Sequence, residues 1–234
     1  MYYRIGVTAM TKRENETVIK ITDLSFAYPS RDYVFKKFNF DFFKGERIGL
    51  VGPNGSGKTT LFHLIMGLLH PSEGKIEIFG KERKVENDFV EVREKIGLVF
   101  QDPDDQLFSP TVAEDIAFGP LNLRKNRQET EKILKETLET LGLAGFEDRI
   151  TYNLSYGEKR LVSLATVLSM QPEVLLLDEP TAWLDEKTIK RIARILNNNS
   201  NLSYVIISHD KKFLKETTNC IYEMRNGEIK IKKK

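Results

Sequence analysis

The 234-residue chain has a single cysteine, Cys220, which excludes an intrachain disulfide framework. Cys220 opens an apolar stretch that runs to Met224, so it is expected to be a small core residue rather than a reactive thiol. No apolar run approaches the roughly 18 residues that a membrane-spanning helix needs. With no recognisable secretory signal either, a cytosolic chain is expected. Excess charge is also missing. The 36 basic and 34 acidic residues leave +2, too little to favour a large footprint on a nucleic-acid backbone. The basic end, Lys230 and Lys232 to Lys234, is short and reads as a solvated tail, with weak contact to anionic lipid as the alternative. Internal repeats and low-complexity segments are absent. The length allows a substantial core. Residues 1–16 show no clear period and read as a loose leader before a single domain over 17–234.

What is present is concentrated in short motifs. Gly52-Pro53-Asn54-Gly55-Ser56-Gly57-Lys58-Thr59 fits G-x-x-x-x-G-K-[ST], the loop that wraps a polyphosphate. Glycines let successive N–H groups turn inward, Lys58 can reach the β- and γ-phosphates, and the Thr59 hydroxyl can hold Mg²⁺. The flanks agree. Arg47–Val51 reads as a buried strand, and Thr60–Leu69 reads as a helix whose N-terminus adds dipole and free N–H groups. Gly52 through Thr59, with Thr60 next to them, are therefore the candidate nucleotide-binding residues, and ATP with Mg²⁺ is the expected ligand.

Around this loop, Val18–Phe26 and Val34–Phe43 alternate as half-buried strands, the second with Phe38, Phe40 and Phe42 on one side. Lys75–Phe79 and Ile96–Phe100 are further strands. Arg127–Leu141 reads as an amphipathic helix with Glu131 and Lys135 as an i,i+4 pair. Ser155 is a plausible N-cap, with Glu158 completing a capping box, for a helix to about Met170. Glu186–Leu196 is another helix, Tyr204–Ile207 a strand, and a helix and two short strands close the chain. Strands alternating with helices at both ends, around a helix-rich stretch at about 102–170, predict an α/β core with an inserted helical subdomain.

Two strand ends carry further chemistry. Val174–Leu177 is a continuous apolar run, as in a strand covered on both faces, and it ends in Asp178-Glu179. Carboxylates at the C-terminal edge of such a sheet stand where α/β ligand sites form. Asp178 is suited to holding Mg²⁺ and Glu179 to polarising a water. Val205–Ser208 repeats the arrangement and ends in His209, a candidate hydrogen-bond donor to a γ-phosphate. His63 and His70 read as structural.

These motifs together resemble the ATPase subunits of ABC transporters. Leu154-Ser155-Tyr156-Gly157-Glu158 is similar to the family's L-S-G-G-Q signature, and Gln101 stands at its Q-loop glutamine. Tyr28 matches the aromatic residue that stacks on adenine, Ala182-Trp183-Leu184-Asp185 the D-loop, and His209 the switch histidine. The resemblance implies a P-loop NTPase core with a mixed sheet, an antiparallel β subdomain and an inserted helical subdomain. It also implies ATP hydrolysis with Lys58, Gln101, Glu179 and His209 in catalytic roles, and with Thr59, Gln101 and Asp178 at Mg²⁺. Ser155 and Gly157 would act on the nucleotide of a second, identical or related ATPase. Gln101–Phe108 and Thr111–Pro120 narrow the resemblance to the energy-factor ATPases of cobalt, nickel and vitamin uptake systems. For that group it implies a peripheral place on the cytoplasmic face of the membrane, a transmembrane coupling protein, a separate substrate-binding membrane protein, and no nucleic acid. Asp102, Asp104 and Asp105 would suit arginines of the coupling protein.

Tyr156, where the family has glycine, and Glu158, where it has glutamine, depart from the signature; Trp183 is unusual in the D-loop. These changes either tune one composite site or mark one half of a heterodimer. The alternative functions are a regulatory, weakly hydrolysing half of such a pair and, further off, a non-transport ATPase acting on nucleic acid.

Overall fold

A computed structural model describes residues 16–232; the rest of the expected leader and the lysines at 233 and 234 lie outside the described residues. The chain forms β1 (Thr17–Ala27), β2 (Tyr33–Phe43), β3 (Arg47–Val51), α1 (Lys58–Ile65), β4 (Glu73–Ile78), β5 (Lys81–Glu82), α2 (Asp88–Lys95) and β6 (Ile96–Val99). From there to β7 (Val174–Asp178) every element is helical: a 3₁₀ turn at Pro103–Asp105, α3 (Val112–Asn122), α4 (Arg127–Leu141), a 3₁₀ turn at Thr151–Asn153, and α5 (Tyr156–Leu168). Then follow α6 (Glu186–Asn198), β8 (Ser203–Ile207), α7 (Lys211–Thr217), β9 (Cys220–Arg225) and β10 (Glu228–Lys232).

Two sheets organise these elements. β2-β1-β4-β5 is antiparallel, and β10-β9-β3-β8-β7-β6 is parallel except for its edge strand β10. The mixed sheet therefore has the expected α/β architecture. Strands β6, β7 and β8 are buried throughout and β3 along its middle, while β9 is half-buried and the edge strand β10 largely exposed. In the buried strands the period-2 alternation sends side chains into two cores. Ile48, Leu50, Val174, Leu176, Val205 and Ile207 join α1, α2 and the antiparallel sheet's inner face, including Phe38, Phe40 and Phe42. Leu175, Leu177, Tyr204 and Ile206 join the helices α3 to α7. Burying both faces leaves only the strand ends to carry chemistry.

The expected cap of α5 is met, and two more helix starts carry the same device. Ser155 caps α5 and Glu158 returns the bond, a complete capping box; Thr111 with Glu114 and Asn126 with Glu129 build the same device on α3 and α4. Other expectations are corrected. The phosphate-loop helix stops at Ile65, well short of Leu69. Glu131 pairs with Arg127 at 3.0 Å, not with Lys135. Cys220 is half-buried at the margin of the first core.

Candidate functional site

The C-terminal ends of β3, β7 and β8 meet at a cleft of about 1770 Å³. The phosphate loop forms its floor. Gly57, the N-cap of α1, has φ +100 and approaches Phe35 and Val34 so closely that a Cβ there would lie 2.8 and 2.9 Å from them. Only glycine fits both the conformation and the space. The first turn of α1 carries no acidic residue and no side-chain cap, so its N–H groups stay available to an anion. The Ser56 hydroxyl is buried without a hydrogen-bond partner, a vacancy that a phosphate oxygen would satisfy. Lys58 Nζ meanwhile folds back onto the carbonyls of Gly52 and Pro53, each at 3.0 Å. Burial pulls its pKa down, against the pull of Asp178 and Glu179.

Strand order brings the carboxylates to this loop. Thr59 Oγ1 donates to Asp178 Oδ2 at 2.6 Å, across 119 positions of sequence. Asp178 is only 2% exposed, and burial pushes its pKa up, opposed by the Thr59 bond and by Lys58, His63 and Arg160. Glu179 follows with φ +48, a left-handed conformation that costs a non-glycine residue roughly 1–3 kcal/mol and is often stored at functional sites. Its pKa is raised by burial, partly offset by His209. His209 Nε2 lies 3.5 Å from Glu179 Oε1, and its own side chain is largely exposed. The Tyr28 and Thr60 hydroxyls share a hydrogen bond of 3.1 Å, which sets the Tyr28 ring at the cleft's rim beside the loop. Gln101 also lines the cleft. The oxygens of Thr59, Asp178 and Gln101 are a hard donor set, one carboxylate with two neutral groups. That suits Mg²⁺ shared with phosphates better than an all-protein cage. No group of three or more His, Cys, Asp or Glu among the described residues is placed to hold a metal ion by itself.

Three predicted residues do not line the cleft. Gly52 is tied to the loop through its carbonyl, which accepts from Lys58, but is not part of the lining, and two more stand farther off. Ser155 and Gly157 lie outside the lining of this cleft, at the start of α5, with Ser155 exposed and its hydroxyl engaged with Glu158 at 2.7 Å. Many lining residues are not predicted site residues, and three of them bear on the chemistry. Tyr156 and Arg160 form one wall, and Trp183, 85% exposed at φ +64, stands at the mouth. Sequence reading flags Tyr156 and Trp183 as departures, but Arg160 gives no local signal beyond its place four residues after Tyr156. Asp104, one of the acids expected to suit a partner's arginines, makes a surface ion pair with Lys159 at 2.6 Å.

A family model described as ABC transporter matches residues 35–182, well over half of the chain. The chain belongs to the ABC transporter ATPase family. It is 45% identical over 215 residues to the energy-coupling factor transporter ATP-binding protein of Methanocaldococcus jannaschii, covering 91% of this chain and 77% of that one. The protein of the same name from Methanothermobacter thermautotrophicus is 41% identical, covering 91% and 69%. Among solved ABC ATPase structures, cbiO1 of Clostridium perfringens, described as part of the transporter complex cbiONQ, is 33% identical. It superposes with a TM-score of 0.79 over 92% of this chain and 87% of its own. A dimeric bacterial ABC transporter cassette, 28% identical, superposes with a TM-score of 0.82 over 92% and 98%. ATP binding and hydrolysis follow from this membership.

Proposed function

We propose that this chain is the ATP-hydrolysing subunit of an energy-coupling-factor transporter and powers import of a small solute, a metal ion or a vitamin. Tyr28 stacks on adenine. The loop amides and Lys58 hold the phosphates. Thr59, Asp178 and Gln101 would hold Mg²⁺, which when bound offsets charge on the β- and γ-phosphates. Glu179 takes a proton from the attacking water, and its raised pKa makes it a stronger base than an ordinary glutamate. His209 donates to a γ-phosphate oxygen. Ser155 and Gly157, turned away from their own cleft, serve the nucleotide of a second ATPase, identical or related. Loss of the γ-phosphate removes the charge that holds the two together, and the Gln101–Phe108 stretch hands the change to a transmembrane partner. Among the described residues no helix is long and apolar enough to cross a membrane. In this reading the chain's place is peripheral, at the cytoplasmic face beneath that partner, a placement supported by its likeness to the energy-coupling factor relatives.

The Thr59–Asp178 hydrogen bond carries this reading, because it joins the phosphate loop to the strand-end carboxylates. The test is Mg²⁺-dependent ATPase activity over a concentration series, wild type beside Glu179→Gln. Turnover should rise more steeply than linearly with protein concentration and fall by roughly 10²–10⁴ in the variant. Normal hydrolysis by Glu179→Gln would overturn the assignment of the base.

A further inference from the structure

Arg160 is 1% exposed, yet its hydrogen bonds run to main-chain carbonyls and a hydroxyl, with no ion pair to a carboxylate among the described residues. Burying a guanidinium without a carboxylate is costly unless its donors are well used. Nη1 donates to the Phe100 carbonyl at 2.7 Å. Nη2 donates to the Gln101 carbonyl and, at 3.2 Å, to the Tyr156 hydroxyl. That hydroxyl in turn faces the same Gln101 carbonyl, at 3.4 Å. Nε is buried with no partner, and the side chain lines the cleft beside Gln101 and Asp178. The far end of the loop is fastened to the same helix: Gln106 Nε2 donates to Ser163 O and to Thr166 Oγ1, both at 2.8 Å. Residues 100–106 are thus strapped along α5, the helix whose first turn carries Ser155 and Gly157.

We propose that Arg160, assisted by the Tyr156 hydroxyl, is a positioning residue that makes the Gln101 loop and the start of α5 one body. The side chain offered to this chain's own nucleotide and the turn offered to a second chain's nucleotide then shift together. The proposal rests on the nucleotide reading above and gives Tyr156 a use: its hydroxyl sits on the carbonyl that Arg160 grips. Lysine cannot replace the fork, since a point charge does not span two carbonyls.

The test uses the full chain, a fluorescent ATP analogue and an Mg²⁺ titration, with amide hydrogen exchange read over residues 100–106. Exchange there should quicken in Tyr156→Phe and in Arg160→Lys. The Mg²⁺ needed for half-maximal analogue binding should rise roughly 3-fold in the first and roughly 10-fold in the second, as for loss of one ordinary and one charged hydrogen bond. Analogue affinity in chelator should not change. In a Gln101→Ala background neither substitution should add a further Mg²⁺ shift, because both act through Gln101. An unchanged Mg²⁺ requirement in both variants overturns the proposal, as does a shift that persists without Gln101. Should Arg160→Lys fail to fold, Tyr156→Phe decides on the same readouts. A wild type whose analogue binding ignores Mg²⁺ sinks the nucleotide reading and the proposal with it. A responsive wild type with unresponsive variants sinks the proposal alone.

Discussion

Asp178 in the cleft and Asp115 in the helical stretch are 2% and 3% exposed, and they are used in opposite ways. Asp115 is saturated: one oxygen accepts from the amides of Phe108 and Ser109, the other from the Thr151 hydroxyl at 3.1 Å. It pins the loop before α3 to the turn before α5. Asp178 accepts one side-chain hydrogen bond, from Thr59, and burial leaves its carboxylate poorly compensated. A buried carboxylate whose partners are complete is architecture, while one left short of partners is kept for something that arrives later. The same contrast separates the surfaces. The cleft is polar and prebuilt, whereas the helical stretch exposes Phe108 and Phe118, edge to face at 4.8 Å, with Leu121 nearby in sequence and also exposed.

The largest test of this contrast lies in the cleft. Glu179→Gln should lower turnover by roughly 10²–10⁴, the span of a general base, while nucleotide affinity, measured by equilibrium binding, stays near wild type. Next, Asp115→Ala should cost about 3 kcal/mol in a denaturation curve, because two loop amides and a hydroxyl lose their buried acceptor. Asp178→Asn should do the reverse. Chain stability should stay within about 1 kcal/mol of wild type, while Mg²⁺-dependent nucleotide binding collapses. If Asp178→Asn unfolds the chain as Asp115→Ala does, the two aspartates are not different in kind.

Smaller effects sharpen the comparison. The raised pKa values of Asp178 and Glu179 mean that the folded chain holds these protons more tightly than the unfolded one. Their contribution to stability is therefore full below the ordinary values of 3.8 and 4.5 and is lost as pH rises through the raised ones. Melting in the absence of nucleotide should fall over that window in wild type and fall less in Asp178→Asn. For turnover the sign is opposite. The base works only when ionised, so the acid limb of kcat/KM should lie above 4.5. The smallest effect belongs to the exposed face. Phe118→Ser should change stability by within about 0.5 kcal/mol and leave nucleotide affinity alone. Reconstitution with a transmembrane partner should nonetheless lose coupled transport if that face docks it.

Much of the cleft is legible before folding because its parts are local. The glycines of the phosphate loop are read from spacing, and the unusual φ of Gly57 gives the reason for one of them. Val174–Leu177 announces a strand buried on both faces, so the acids after it must sit at a strand end. The capping box at Ser155 is equally local. Helix α2 was not legible: Asp88–Lys95 buries only Phe89 and Val92 and shows no strong apolar stripe. Nor was the role of Arg160, since nothing near it in sequence tells a buried arginine from a solvated one on α5.

The sequence by itself therefore determined the pieces: a loop shaped for phosphates, strand ends bearing Asp178, Glu179 and His209, and a capped helix bearing Ser155 and Gly157. Tertiary structure alone decided their company. Placing β3 beside β8, and β8 beside β7, puts Thr59 against Asp178 and Glu179 against His209. The packing of α5 on the loop after β6 buries Arg160 and turns Ser155 out of its own cleft. The reason is physical. Backbone conformation and hydrophobic period are set by neighbours along the chain, whereas strand order and helix docking are set by which faces must be buried together, a choice the whole sequence makes at once.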